Sequence, residues 1–594
     1  MALEKTMPKR PKARMRRPDG PNYTRRPEPK PKEGERAPSG QNNVLKVMPI
    51  GGNEETGGRN CYLFQYGEDI LIVDMGLQWP EDDMPGVDYI IPDLNYLRGK
   101  EKMIRGVVIS HGHYDHTGGV PHLIPSLGNP PIYASDLTCA MLQKKMEDIA
   151  PEFKLKLNKV KSRDRMKVGV FRLEFFALSH NIPGSLGVVI ETPVGKIVHT
   201  GDFKLDLKAH VSNRTDIDAI KRIGNEGILC LMCDSTNSYA PGHQVSEEEV
   251  EKNVEMMFKQ TQGRMIVATF ASLLSRVQQV LSAAEKHNRR VLVEGFSMKT
   301  NIEIGKQLGY IRCKPNTIIT WEEAQKLPGR EYLILCTGAQ GEDNAALMRI
   351  ANREHKYLRV ERGDLVVFSS SVIPGNDRAV SRLKDGLLRE GASIIDSKML
   401  DIHAGGHAKQ EDIADLIKLL KPKYFMPIEG NYGSLLENKQ IAIRAGVPEQ
   451  NSLIAENGQV VEFSNNQGYV TNVRNPINYV FVDGLGIGDV NALVLRDRKQ
   501  LAGDGMIIVV AQISGRSGKP VKVDVISRGL THMKEQGRFI HDMVAVVKKS
   551  LADKEPRMKP NEKDLRDKIR RDLEKFVFLK THRQPMVLPV IVEG

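Results

Sequence analysis

The sequence predicts an α/β protein of several domains, and three observations carry that prediction. Short apolar runs end repeatedly in Gly, Asp or His, as buried strands do where they open onto a ligand site. From Ser246 to about Gly405 such strands alternate with helical stretches, the pattern of a parallel sheet with crossover helices. The first texture then resumes at Tyr424-Phe425-Met426-Pro427-Ile428-Glu429-Gly430, so the alternating block reads as an insertion into an earlier domain. At 594 residues the chain exceeds one hydrophobic core, since a domain takes roughly 150 residues.

Residues 1–42 carry twelve Lys/Arg against five acids, more than half of the formal charge of +12, with eight prolines and few large apolar side chains. Such a segment cannot bury a core and is expected to be a disordered basic arm that attracts phosphate backbones without reading sequence. A solubilising tail or a targeting segment is the plainer alternative. Residues 44–50 read as a strand, 51–58 as a Gly-rich loop, and 70–73 as a strand ending at Asp74-Met75-Gly76. Two more apolar runs end at His199-Thr200-Gly201-Asp202 and at Cys233-Asp234, which completes a first part over 43–245.

The insertion, 246–405, opens on Ser246-Glu247-Glu248-Glu249, an N-cap followed by early acids. Strands are expected at 265–269 and 290–294, with a helix over 274–287. The earlier domain returns over 406–480, where Ile413, Leu416, Ile417 and Leu420 have the i, i+3, i+4, i+7 spacing of an amphipathic helix. Gly484-Leu485-Gly486-Ile487-Gly488-Asp489 lacks the spacing of a dinucleotide fingerprint and reads as a Gly-rich hinge in a linker over 481–490. A last α/β segment, 491–594, contains a heavily charged helix over 564–576 whose charges suit a solvated face.

A hydrophobic fraction of 40% with 27% charged residues excludes a membrane-embedded or wholly disordered chain. No apolar stretch approaches the ~20 residues that cross a bilayer, and the N-terminus lacks the apolar core of a secretory signal. The six cysteines are scattered, as expected in a reducing compartment, so the expected location is cytoplasmic. Cys230 and Cys233 form a CxxC inside an apolar run and are expected as buried strand cysteines rather than a zinc or redox pair.

The densest chemistry is His111-Gly112-His113-Tyr114-Asp115-His116, directly after the apolar run 105–110. His111 and His113 are two apart, so an extended segment turns both rings to one side, where they can grip one ion. Asp115 and His116 follow at a turn and can face a second. With 15 histidines in 594 residues, three within six positions is not a chance surface loop. His180, on a polar turn after an apolar run, and Asp202, at a strand end, complete a two-ion set; a carboxylate can bridge two ions where an imidazole cannot.

With these residues in view, the chain resembles the metallo-β-lactamase superfamily and, within it, the β-CASP nucleases of the ribonuclease J family. The HxHxDH loop, His180 and Gly201-Asp202 carry the superfamily match. Asp234-Ser235-Thr236-Asn237 looks like the acidic motif that opens a β-CASP insertion, and His403-Ala404-Gly405-Gly406-His407 like its closing histidine motif. Pro49-Ile50-Gly51-Gly52, Thr337-Gly338-Ala339-Gln340-Gly341-Glu342, Pro374-Gly375-Asn376-Asp377 and Ile526-Ser527-Arg528-Gly529 extend it over all but the arm. The resemblance implies a metallo-β-lactamase αββα sandwich with an inserted α/β β-CASP domain and a small C-terminal α/β domain.

It further implies two divalent ions, zinc in the first instance, with manganese or magnesium as alternatives. His111, His113 and His180 would hold one ion and Asp115 and His116 the other, with Asp202 bridging. The family completes the second ion's ligand set with the histidine of a Pro-x-His-Gly-Glu segment; here that position is Glu429, whose oxygen can ligate zinc and would shift preference towards manganese or magnesium, or leave the second ion weak or absent. Gly405 stands where the family has serine, and Leu273-Leu274-Ser275-Arg276 departs from its usual histidine before arginine.

The implied reaction is hydrolysis of single-stranded, 5′-monophosphorylated RNA, 5′-to-3′ exonucleolytic with some endonucleolytic cleavage, leaving 5′-phosphates. Asp115 would orient the nucleophile, and His407 would contact the scissile phosphate or protonate the leaving oxygen. Asp234, Ser235, Ser272, Arg276, His403, Gly405 and His407 are the expected RNA contacts. The C-terminal segment would support a homodimer or homotetramer. The competing reading is a catalytically weakened RNA-binding or scaffold homologue; a small-molecule hydrolase would have no use for the insertion.

Overall fold

The computed structural model describes residues 43–593 apart from Thr56, Asp82, 208–213, Pro374, Leu485, 515–519, 531–535 and 553–561. The basic arm expected over 1–42 lies outside the described residues. Among the described residues two sheets face each other. One has eight strands in the order Gln467–Arg474, Gln459–Ser464, Leu45–Gly51, Cys61–Tyr66, Asp69–Val73, Ile104–Val108, Ile132–Ala134, Leu157–Lys159. The other has six, in the order Tyr424–Ile428, Cys230–Asp234, Gly195–His199, Leu186–Thr192, Phe171–Ala177, Arg165–Val168.

The core between them joins Leu45, Val47, Tyr62 and Phe64 of the first sheet to Phe171, Phe175, Ile197 and Met232 of the second. Each such side chain contributes about 1.5–3 kcal/mol on leaving water. Helices cover both outer faces. Cys139 and Leu142 of helix Asp136–Ile149 pack on Val107, Ile109 and Ile132, and the predicted stripe Ile413, Leu416, Ile417 and Leu420, on helix Gln410–Leu420, packs on Leu231 and Phe425. This is the expected αββα sandwich, with both strands of the first part and strands of the returning segment in each sheet.

The insertion carries its own parallel sheet, in the order Ile318–Ile319, Arg290–Glu294, Tyr332–Cys336, Met265–Ala268, Leu365–Phe368, Ser393–Asp396. Its central strands are apolar throughout because helices cover both faces. The expected cap is present: the Ser246 side chain accepts from the N–H of Glu249 at the start of helix Glu247–Gln260. Helix Leu274–Lys286 coincides with the predicted one. A buried ionic knot ties the insertion to the sandwich. Glu247 receives Lys204 Nζ at 2.7 Å and Arg276 Nη2 at 3.0 Å, and its backbone N–H donates to Asp206 at 2.8 Å.

The linker expected over 481–490 is corrected by the structure. Val480–Asp483 is a strand paired antiparallel with Tyr89–Ile91, and Gly486–Ile487 folds back onto it. Its two central residues, Phe481 and Val482, are both buried, and burial of an apolar strand outweighs the flexibility that the neighbouring glycines suggest. The C-terminal segment pairs Met506–Ile513 with Pro520–Arg528 and with Met586–Glu593. The charged helix runs over Glu562–Thr581 and buries Leu565, Ile569, Leu573 and Val577 at four-residue intervals, leaving its charges to solvent. Cys230 and Cys233 are buried, unbonded strand residues. No helix among the described residues is long and apolar enough to cross a membrane.

Candidate metal centre

The site forms where parallel strands end side by side. Val73 pairs with Val108, so the chain leaving each strand arrives at one edge of the sandwich. There Asp74, in the left-handed region at φ 61°, accepts from the Ser110 N–H at 2.8 Å and from the Ser110 hydroxyl at 2.9 Å. Its second oxygen lies 2.8 Å from His116 Nδ1. A proton held there leaves the His116 Nε2 lone pair facing inward, the orientation a metal ligand needs. Asp74 was not among the residues expected from sequence; the strand end Asp74-Met75-Gly76 was its only signal.

His111 and His113 follow Ser110 and precede the short helix Tyr114–Thr117. His113 Nδ1 lies 3.1 Å from His111 Nε2 and 3.0 Å from His180 Nε2, and both Nε2 atoms are 3.6 Å from Asp202 Oδ2. Around an ion with bonds of about 2.0–2.2 Å, tetrahedral ligand atoms stand roughly 3.3–3.6 Å apart, so these four atoms fit one. Burial drives His111 and His180 well below the ordinary histidine range and His113 to about 4, which keeps the three rings neutral and able to ligate.

Asp202 reaches this point through Gly201 at φ 56°, where a Cβ would come within 2.7 Å of Ser110 Cβ. Its other oxygen is 3.2 Å from His116 Nε2, and Asp115 Oδ2 is 3.6 Å from the same nitrogen. Asp202 thus stands between the two ligand groups. Burial opposes its charge, but His116 and His407 hold it ionised, well below the usual carboxylate range. His116 in turn is driven down by burial and more strongly raised by Asp202, Asp115 and Asp74.

Glu429 ends strand Tyr424–Ile428 in the left-handed region at φ 57°, with its N–H donated to the Tyr62 hydroxyl at 3.2 Å. The conformation aims its carboxyl at Asp74 and His116, within 4.8 Å of both. Both carboxylate oxygens are buried without a hydrogen-bond partner. Burial, then the Asp202 carboxylate, raises Glu429 well above the carboxylate range. Two buried carboxylates this close demand a proton or a cation, so the donor set fits a divalent ion here as well.

The returning loop closes the other side. Gly406 supplies its carbonyl to His180 Nδ1 at 2.8 Å, and a Cβ at Gly406 would meet His180 Cε1 at 2.5 Å. His407 Nδ1 is 2.8 Å from Asp234 and 3.8 Å from Asp202. Burial disfavours its charge, but Asp234 and Asp202 raise His407 to about 9, so it holds a proton at neutral pH.

The structure therefore brings His111, His113, Asp115, His116, His180, Asp202, Glu429, Asp234 and His407 together. Ser235 is buried under the site, accepting from Asn438 at 2.9 Å. Gly405 packs on Gln244, and His403 lies in the insertion against Phe270 and Ser371. Ser272 is half-buried, and its carbonyl accepts from the Leu274 N–H at 2.8 Å where helix Leu274–Lys286 begins. Arg276, expected to contact RNA, is wholly buried and bound to Glu247, Ser369 and Ile402, so in this conformation it holds the insertion together and has no surface to offer RNA.

Fold and site define a metallo-β-lactamase-fold protein with a β-CASP insertion. The metallo-β-lactamase superfamily matches residues 55–227, the ribonuclease J β-CASP domain 262–387 and the ribonuclease J C-terminal domain 493–594. Ribonuclease J 1 of Streptococcus pyogenes is 37% identical over 93% of this chain and 98% of its own. Ribonuclease J2 of Bacillus subtilis is 35% identical over 92% and 98%, and ribonuclease J of Thermus thermophilus 36% over 95% and 97%. The chain belongs to the ribonuclease J family. A crystal structure of a protein of unknown function from Enterococcus faecalis shares the fold, with TM-score 0.51 and 18% identity over 71% of this chain and 100% of that one.

Proposed function

We propose that this metal-dependent ribonuclease uses two divalent cations, zinc in the first instance, to cut single-stranded RNA into products with 5′-phosphates. In this reading it degrades 5′-monophosphorylated RNA from the 5′ end and also cleaves internally. His111, His113 and His180 would hold one cation, and Asp115, His116 and Glu429 the other, with Asp202 shared. When bound, such cations lower the pKa of water to roughly 7 and neutralise the phosphodiester. Asp115 orients the attacking water. His407, kept protonated by Asp234, donates to the phosphate or to the departing 3′-oxygen. Asp74 fixes His116, and the Gly406 carbonyl fixes His180, so neither ring needs to reorient during the reaction.

The observation that carries the reading is Asp202, whose two oxygens face His111 and His180 on one side and His116 on the other. The test compares wild type with Asp115→Ala/His116→Ala for metal content and for degradation of a 5′-monophosphorylated RNA. Loss of activity in the double variant is expected; equal activity, or no degradation by metal-loaded wild type, overturns it. One observation favours a second reading, a weakened RNA-binding homologue: Glu429 can satisfy its carboxyl with a proton instead of a cation. Glu429→Ala lowers metal occupancy if Glu429 is a ligand and leaves it unchanged if not. The C-terminal segment is the proposed seat of a homodimer or homotetramer.

A further inference from the structure

The aromatic side chains on the rim of this centre take no part in holding a cation. Trp79, one of only two tryptophans in the chain, is 60% exposed, and Tyr114 is 46% exposed. Their rings meet edge to face at 6.4 Å, and Trp79 makes a second edge contact with Tyr89 at 6.5 Å. Tyr89 is itself held by its hydroxyl, 2.8 Å from His122 Nε2. Leaving an indole in water forfeits the burial that usually places tryptophan in a core.

The position of the pair is fixed by the centre. Tyr114 stands between His113 and Asp115 in the chain. The 75–77 segment leading to Trp79 is tied to the same loop by backbone hydrogen bonds: Met75 to the His116 carbonyl at 2.9 Å and Leu77 to the Tyr114 carbonyl at 2.9 Å. Between them Gly76 permits the approach, since a Cβ there would lie 1.6 Å from the Asp115 carbonyl oxygen. Lys145 Nζ lies over the Tyr114 ring, 4.9 Å from its centre, so a cation covers one face of the tyrosine while, among the described residues, the indole carries none.

We propose that Trp79 and Tyr114 form a stacking platform for a base of single-stranded RNA next to the scissile phosphate, with Lys145 beside the backbone. The inference rests on the ribonuclease reading of the same centre. Every base offers a π-face, so the platform grips RNA without selecting sequence, and a lysine over its tyrosine suits a phosphate-bearing ligand better than an apolar protein surface. The platform also sets the register. A stacked base fixes where along the strand the next phosphodiester meets Asp115 and His407.

The test isolates Trp79 by Trp321→Phe, since Trp321 is the other tryptophan and stacks on Tyr357 elsewhere. A phosphorothioate-linked oligoadenylate is titrated into the metal-loaded protein, following Trp emission and, separately, anisotropy of a labelled RNA end. Emission of Trp79 is expected to be quenched in step with binding. Trp79→Ala should weaken binding roughly ten-fold, with Trp79→Phe restoring most of it, and an abasic strand should lose the same factor in wild type but not in Trp79→Ala. RNA that binds by anisotropy with Trp79 emission and Trp79→Ala affinity unchanged overturns the platform and leaves the ribonuclease reading intact. No RNA binding at all overturns both. Protection of Trp79 from acrylamide that rises with protein concentration, without RNA, would reassign the pair to a contact between copies and overturns the proposal.

Discussion

Replacing Glu247 by alanine should loosen the insertion from the sandwich and disturb the centre from a distance. The carboxylate sits between Lys204 and Arg276, both fully buried, at 2.7 and 3.0 Å. Burial pushes Glu247 up, but these two cations prevail and hold it at about 2 against an ordinary 4.5. That difference corresponds to roughly 3 kcal/mol at neutral pH. Removing one partner of a buried ion pair costs about 3–5 kcal/mol by a separate route, so the two figures agree. Amide hydrogen exchange in helices Glu247–Gln260 and Leu274–Lys286 should therefore accelerate roughly a hundred-fold, since about 1.4 kcal/mol is a factor of ten. Because the folded pKa is depressed, the contribution is complete above 4.5 and disappears as the pH falls from there towards 2. Arg276 also donates to the Ser369 hydroxyl and the Ile402 carbonyl, directly before His403 to His407, so RNA degradation should fall with protection. Lys204→Met with Glu247→Met and Arg276→Met should recover most of the protection, since no charge is then left unpaired. Unchanged exchange in Glu247→Ala would refute the reasoning.

Three further outcomes follow from the geometry. Gly76→Ala should force the 75–77 segment away from the metal loop, because its Cβ would lie 1.6 Å from the Asp115 carbonyl oxygen; metal retained per chain after dialysis should drop, while Gly503→Ala, with nothing near its Cβ, should retain the wild-type value. In metal-free protein, Asp234→Asn should lower the titration midpoint of His407 from about 9, seen in its NMR ring shifts, because burial, the largest opposing effect, is then countered by Asp202 and Asp115 without the hydrogen-bonded Asp234 carboxylate. Deleting residues 1–42 should weaken RNA binding and flatten the dependence of affinity on salt, measured by anisotropy at several ionic strengths; an unchanged slope would return the arm to a solubilising tail.

Much of the fold was legible because its signals are local. The apolar run before His111, the cap at Ser246 and the stripe from Ile413 to Leu420 each state their own secondary structure within a few residues. The linker was misread for the same reason. Its glycines are a local signal, whereas the partner strand Tyr89–Ile91 that buries Phe481 and Val482 lies some 390 residues earlier. Arg276 was expected to contact RNA, and nothing near it in sequence announces Glu247, which pairs with it from the preceding helix.

What the sequence determined by itself was the ligand chemistry: a loop with three imidazoles and a carboxylate, and a carboxylate at 429 where the resemblance implies an imidazole. Tertiary structure alone decided how those groups act on one another. Asp74 orients His116, Gly406 orients His180, and Asp234 keeps the proton on His407, through contacts that join residues 42, 226 and 173 positions apart. The physical reason is that a donor's type is written in its own side chain. Its direction, protonation and burial depend on neighbours that only the packed sandwich and insertion bring within reach.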